Sequence, residues 1–399
     1  MTDISNLIRN SLDGIAPYNS GLSLHDIQEK YGVEAIAKLA SNENPNGPAP
    51  EVLDVLKLSP PDLYLYPDSG ANILRSVLAE HLSVKSEQLI FGNGSEELIS
   101  IICRSVIDPG DKVITLYPSF PLHEDYAVMM GAKMEQISVN ERLEIDVEAL
   151  IDAASKPAKM LIFANPMNPV GRWLNPSDLQ RMITAKHPET LLVLDEAYYE
   201  YASSGDYCSG QDMLEATSGK WIILRTFSKA WGLAGLRIGF GICSSPELRA
   251  ALDLTRTPFN INAVAQMAAV AALSAQDFMK ANIAETIRER TRVEEAIAEL
   301  GYQAAPSLGN FLFFDTGALS TNLSEELLRL GTVVKPWKQQ GFDSFVRVSI
   351  GSVTENDQFI NHIKSLRLKV TNQFVPTESC LSTGGPSFGD TTDGELNFL

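Results

Sequence analysis

Cysteine is scarce in this chain. There are four in 399 residues, Cys103, Cys208, Cys243 and Cys380, and no two form a CxxC pair. That spacing offers neither a disulfide framework nor a zinc site, and it fits a reducing, cytoplasmic setting with no bound metal. Positive charge is also in short supply. Thirty-two Lys and Arg stand against 50 Asp and Glu, for a net charge of −18. Nucleic acid and anionic membranes are therefore poor candidates as partners, since their phosphates need a basic face. Long hydrophobic runs are missing too. The longest nearly apolar stretch, Ala263 to Leu273, is about half a membrane span and contains Gln266. The opening Met-Thr-Asp-Ile-Ser carries no basic segment with an apolar core behind it, so no signal peptide is expected. No internal repeat is visible.

The rest of the composition is that of a soluble globular protein, 44% hydrophobic and 21% charged, and long enough for a large core and two lobes. Residues 1–60 read as an arm and loops, because the prolines and glycine of Asn42-Glu-Asn-Pro-Asn-Gly-Pro-Ala-Pro50 disfavour regular structure. Tyr64-Leu-Tyr66-Pro67-Asp68 reads as an exposed aromatic turn. Strands and helices then alternate. Strands are expected at Gln88–Phe91, Lys112–Tyr117, Lys159–Ala164, Leu191–Leu194 and Trp221–Arg225. Most are continuous apolar runs, as parallel strands covered on both faces should be. From about 265 the pattern changes. A long amphipathic helix over Phe278–Leu300, strands at Phe311–Phe314 and Phe345–Ile350, and a helix near Ser324–Leu330 indicate a smaller α/β lobe. Residues 371–399 hold four acids and no Lys or Arg amid Ser, Thr, Gly and Pro, a tail without a core of its own.

The functional signal lies where the strands end. In an open α/β sheet, ligands sit outside the carboxyl ends of the strands. Here those ends carry Phe120 and His123, Asn168, Asp195 and Tyr198, and then Lys229. Parallel strands bring all of them to one edge. The last strand enters Thr226-Phe-Ser228-Lys229 and a small-residue segment ending at Arg237. Alone, Lys229 is either a solvated loop residue or an amine held where a ligand sits. Two hydroxyls and a rigid cationic fork beside it make a cup for a phosphate. Gly92-Asn-Gly-Ser95 opening a helix is either a plain turn or a second set of N–H groups for an anion. An amine beside a phosphate cup is what pyridoxal phosphate requires, because the lysine holds its aldehyde as a Schiff base.

The chain resembles the fold-type I pyridoxal-phosphate aminotransferases, most closely the histidinol-phosphate aminotransferase family, over about residues 15–366. The resemblance rests on Leu39-Ala-Ser-Asn-Glu-Asn-Pro45, Tyr66-Pro-Asp68, Gly92-Asn-Gly-Ser95, Asn165-Pro-Met-Asn-Pro169, Asp195-Glu-Ala-Tyr198, Ser228-Lys229, Gly235-Leu-Arg237 and Arg347-Val-Ser-Ile-Gly351, in that order. It implies a large cofactor-binding domain with a mostly parallel central sheet between helices, and a smaller α/β domain. The corresponding division is an arm with part of the small domain over 1–60, the large domain over 61–265, the small domain over 266–370 and the tail over 371–399. The resemblance makes Lys229 the Schiff-base lysine and proton shuttle, and Asp195 the partner of the pyridine nitrogen, keeping it protonated as an electron sink. Tyr198 and Asn168 are then expected at the ring hydroxyl and Phe120 on the ring face. The phosphate is expected at the backbone N–H groups of Ser95 and Glu96 with Thr226, Ser228 and Arg237. Arg347 is expected to clamp the substrate's carboxylate or its equivalent, with Tyr18 and Asn44 also on the substrate side. Tyr66 is expected to reach the phosphate of the other subunit, which implies a homodimer.

The chain departs from the family at three places. Val170 stands where threonine is usual, His123 where tyrosine is usual, and Lys335 where an arginine commonly precedes the proline. His123 has two readings, a core histidine or one beneath the ring near Asp195. Transamination between an amine, such as an amino acid or histidinol phosphate, and a 2-oxo acid is the expected reaction. A threonine-phosphate-type decarboxylase or an amino-acid oxidase on the same scaffold is the alternative. A non-catalytic cofactor-binding regulator is disfavoured by the acidic composition and the lack of a DNA-binding domain.

Overall fold

A computed structural model describes residues 7–17, 22–58, 62–202, 206–318 and 320–373 of the chain. Its strands are β1 (Ala37–Lys38), β2 (Leu89–Gly92), β3 (Lys112–Tyr117), β4 (Lys133–Ser138), β5 (Met160–Ala164), β6 (Leu191–Asp195), β7 (Trp221–Thr226), β8 (Gly239–Cys243), β9 (Phe311–Asp315), β10 (Thr332–Val333), β11 (Lys335–Pro336) and β12 (Phe345–Ser349). Seven of them form the central sheet in the order β2-β8-β7-β6-β5-β3-β4. From β7 through to β4 every pairing is parallel; β8 runs against both of its neighbours. This is the mostly parallel α/β sheet the apolar runs predict.

Alternation along each strand explains those runs. In β5, Leu161 and Phe163 enter the core on one face of the sheet, while Met160 and Ile162 enter the core on the other. Leu192 and Leu194 alternate with Leu191 and Val193 in β6 in the same way. Helices Pro50–Leu58, Asn72–Leu82, Val147–Ser155, Pro176–Ala185 and Ala263–Ser274 cover the first face. Helices Gly94–Val106, Pro121–Met129 and Pro246–Asp253 cover the second. Burying one such Leu or Phe side chain contributes about 1.5–3 kcal/mol. Truncating Phe163 to alanine would cost about 3–5 kcal/mol.

The smaller sheet has the order β11-β12-β9, all antiparallel, and β1 pairs in parallel with β10. Helices Gln276–Glu299, Ser320–Arg329 and Val353–Gln373 pack on these strands through Val293, Ile297, Leu327, Phe359 and Ile363. The N-terminal β1 thus lies with C-terminal elements. No helix among the described residues is long and apolar enough to cross a membrane.

Three parts of the sequence reading need correction. Residues 1–60 are more than arm and loops. A helix spans Leu24–Tyr31, started by a reciprocal capping box between Ser23 and Asp26 and ended by Gly32 at φ 64°; another spans Pro50–Leu58. Two strands of the seven-stranded sheet also escape hydrophobic patterning. The edge strand β4, Lys-Met-Glu-Gln-Ile-Ser, is largely polar and partly exposed, as edges often are. The other, β8, is Gly-Phe-Gly-Ile-Cys, and its glycines look like a turn signal. Close approach explains one of them: a Cβ on Gly239 would stand 2.4 Å from the Ser95 nitrogen.

Candidate active site

The strand ends of β3, β5, β6 and β7 open onto one cavity of about 180 Å³. Of the residues expected at a site, Ser95, Glu96, Phe120, Asn168, Asp195, Tyr198, Thr226, Ser228, Lys229, Arg237 and Arg347 line it.

One end of the cavity suits an anion. Helix Gly94–Val106 begins there, and Asn93 places no side-chain cap on it. The first N–H groups of a helix have no partner within it, so those of Ser95 and Glu96 are available with the helix dipole behind them. Gly94 sits at φ 79°, and a Cβ there would come within 2.6 Å of Arg237 Nη2. A side chain at this φ would be strained, and its Cβ would displace the guanidinium from over the turn. Arg237 pairs with Glu96 at 3.4 Å and remains partly exposed. Thr226 Oγ1 accepts a hydrogen bond from the Ser228 N–H at 3.1 Å. Ser228 Oγ is buried and has no hydrogen-bond partner among the described residues. A buried orphan hydroxyl costs free energy unless a ligand satisfies it.

The other end is acidic. Asp195, at the end of β6, is 5% exposed. Its Oδ1 accepts from the Ala197 N–H at 3.0 Å and its Oδ2 faces His123 Nε2 at 3.0 Å. His123 is therefore beneath Asp195 rather than an independent core residue, and Phe120 meets its ring edge-on at 5.6 Å.

Lys229 lies between these ends. Its Nζ donates to the Ser41 carbonyl at 2.9 Å. Desolvation, and secondarily the Arg347 charge, push its amine down from 10.5 to about 7, against the opposing pull of Glu43 and Asp195. Tyr198 hydroxyl accepts from Asn42 Nδ2 at 2.9 Å and from Asn168 Nδ2 at 3.4 Å. Arg347, on β12, donates through Nη1 to Asn168 Oδ1 at 2.7 Å and through Nη2 to the Ala40 carbonyl at 2.6 Å. Its strand partner across the sheet is Lys335. Burial and the Arg347 charge lower the Lys335 amine.

Three expected residues are not among those lining the cavity. Asn44 donates to the Ala230 carbonyl at 3.0 Å and accepts from the Asn46 N–H at 3.0 Å, so it braces the turn behind Lys229 instead of facing a substrate. Asn42, two residues earlier, lines the cavity in its place, together with Ser41. Tyr66 is 82% exposed and stacks on Phe259 with centroids 4.6 Å apart. Tyr18 lies outside the described residues. Asn42 belongs to the same Asn-Glu-Asn-Pro run, in which the sequence does not say which asparagine enters the cavity.

A lysine amine between an anion cup and a buried carboxylate, on this sheet, defines an aminotransferase-type site. The chain belongs to the class I and II aminotransferase family, whose model matches residues 34–363. Among its relatives it is similar to histidinol-phosphate aminotransferase 1 of Mesorhizobium japonicum, 50% identical over 366 residues that span 92% of this chain and 100% of the relative. The structure of a histidinol-phosphate aminotransferase from Sinorhizobium meliloti, in complex with pyridoxal-5'-phosphate, superposes with a TM-score of 0.83 at 27% identity, covering 91% of this chain and 98% of that one. L-threonine-O-3-phosphate decarboxylase from Porphyromonas gingivalis shares the fold, with a TM-score of 0.73 at 22% identity over 83% of this chain and 99% of that one.

Proposed function

We propose that the chain is a pyridoxal-phosphate-dependent aminotransferase that moves an amino group between histidinol phosphate and a 2-oxo acid in two successive half-reactions, as a cytoplasmic homodimer. The observation that carries the reading is Lys229, a desolvated amine between the anion cup and Asp195. The residues present fit the cofactor. The orphan Ser228 hydroxyl, the uncapped helix N-terminus and Arg237 match its phosphate, and the His123-supported carboxylate of Asp195 matches its pyridine nitrogen.

When bound, the cofactor supplies an aldehyde that takes up the amino group and a protonated ring that withdraws the electron pair left on the donor's Cα. This chain's residues do the rest. Thr226, Ser228, Arg237 and the Ser95 and Glu96 N–H groups would hold the phosphate. Phe120 would cover a ring face, and Asn168 and Tyr198 would hold the ring hydroxyl. Lys229 Nζ would anchor the aldehyde covalently and then carry the proton. An amine titrating at about 7 has a substantial neutral fraction near neutral pH, so it can act as nucleophile and base. Asp195 keeps a positive charge opposite it by electrostatics, and His123 orients that carboxylate.

The substrate's anionic end would meet Arg347. Lys335, opposite Arg347 on the neighbouring antiparallel strand, adds a second positive charge beside that end of the cavity. A phosphate ester suits such a pair better than a carboxylate of lower charge. Tyr18 is proposed on the same side. The exposed run Leu63-Tyr64-Leu65-Tyr66, with Tyr66 on Phe259, supports burial against a second copy of the chain, with Tyr66 reaching its site.

A half-reaction screen tests this. Histidinol phosphate should bleach the visible absorbance of the cofactor-loaded enzyme, and a 2-oxo acid should restore it. Carbon dioxide release would identify a decarboxylase, and hydrogen peroxide an oxidase. Bleaching by other amines but not by histidinol phosphate would overturn the substrate.

A further inference from the structure

Three consecutive residues, Ala40, Ser41 and Asn42, each hold a different functional side chain. The Ala40 carbonyl accepts from Arg347, the Ser41 carbonyl from Lys229, and the Asn42 amide donates to the Tyr198 hydroxyl. The segment is pinned along β12. Ser349 N–H donates to the Leu39 carbonyl, Ser349 Oγ donates to Asn42 Oδ1 at 2.8 Å, and the Asn42 N–H donates to Ser349 Oγ at 2.8 Å. Asn310 Nδ2 donates to the Asn42 carbonyl at 3.1 Å. Asn42 is 1% exposed and adopts φ 56°, a left-handed conformation that asparagine tolerates better than other side chains do.

We propose that Asn42 is a positioning residue that couples strand β12 of the smaller sheet to Tyr198 and thereby sets the hydrogen bonding around Lys229. Two routes from β12 end on the same hydroxyl: Arg347 through Asn168, and Ser349 through Asn42. With both amides donating to its oxygen, the Tyr198 hydroxyl directs its own proton away from them. The Tyr198 ring centroid lies 5.9 Å from Lys229 Nζ, and without Asn42's amide the hydroxyl oxygen loses one donor and is a stronger acceptor, which favours a proton held near Lys229. The charged groups around Lys229 are Arg347, Arg237, Glu43 and Asp195, with His123 beneath Asp195, and none of these is changed by altering Asn42.

The inference rests on the cofactor reading above, and the two fail differently. The test is a spectroscopic pH titration of the cofactor-loaded protein, with steady-state kinetics beside it. Asn42→Gly keeps the left-handed backbone and its two backbone hydrogen bonds and removes only the amide. It should raise the titration midpoint by about 0.5–1 pH unit and lower kcat about 10-fold, with KM for the amino donor within about 3-fold, because Arg347 keeps Ala40. Ser349→Ala releases Asn42 without touching Tyr198 and should move the midpoint the same way by a smaller amount. A wild-type spectrum that lacks a Lys229-dependent titration overturns the cofactor reading itself. A normal wild-type titration left unmoved by Asn42→Gly overturns only the role of Asn42. Should Asn42→Gly not fold, an unmoved midpoint in Ser349→Ala overturns it equally.

Discussion

Lys229 should make the cofactor-free protein less stable than it would otherwise be. Its amine titrates at about 7 in the fold against 10.5 in an ordinary setting, chiefly through desolvation. Because the folded value is depressed, the unfolded chain binds the proton more tightly. The penalty is full below about pH 7 and is relieved as pH rises toward 10.5. At 1.36 kcal/mol per tenfold change in proton affinity, it reaches about 4–5 kcal/mol at pH 6.5 and falls to about 1–2 kcal/mol at pH 9.5. Lys229→Met removes the titrating group and fills the site with an apolar chain of similar reach. It also loses the hydrogen bond to the Ser41 carbonyl, worth about 1 kcal/mol. The net gain is about 3 kcal/mol at pH 6.5 and near zero at pH 9.5. For a chain of this length that is about 3–4 °C in melting temperature at the lower pH. Thermal melts of the two cofactor-free proteins across that range provide the check. No gain at pH 6.5, or a gain that grows with pH, would refute a desolvated amine whose proton affinity is lowered in the fold. The same variant should be catalytically dead, the familiar trade between stability and a strained functional group.

Asp195→Asn should still retain the cofactor but lose on the order of 100-fold in turnover, because an amide cannot hold a positive charge opposite it; a rate within about threefold of wild type would reduce Asp195 to a turn residue. Tyr66→Phe should weaken cofactor retention by about 0.5–1.5 kcal/mol without lowering the melting temperature, measured by dialysis against cofactor-free buffer. If Tyr66 serves the partner's site, mixing inactive Tyr66→Ala with inactive Lys229→Met should restore activity in heterodimers. No recovery after confirmed subunit exchange would confine Tyr66 to its own subunit.

Much of the fold is legible because the parallel strands are covered on both faces. A strand such as β5 must be apolar at every position, and no turn or polar periodicity competes with that signal. The elements that escape detection lack it for specific reasons. In β4 the cause is an exposed edge, and in β8 it is glycine. The helix at Leu24–Tyr31 was legible through Ser23, Asp26 and Gly32, but its single buried residue, Ile27, leaves little hydrophobic pattern to see.

The site divides along a similar line. Lys229, Asp195, Asn168 and Tyr198 stand just beyond recognisable parallel strands, and topology alone carries strand ends to a common edge. Their relative placement needs no knowledge of side-chain contacts. Asn42 is different. It follows a two-residue strand, and its bonds to Tyr198, Ser349 and Asn310 span long sequence separations. Nothing local distinguishes it from Asn44, which has the same side chain in the same run and faces Ala230. The left-handed turn at Asn42 helps determine which of the two amides enters the cavity. That conformation is held by β12, a strand some 300 residues away in the chain. Groups that perform chemistry at the strand ends are thus written locally, whereas the residue that registers them against one another is written only in the packing of the two sheets.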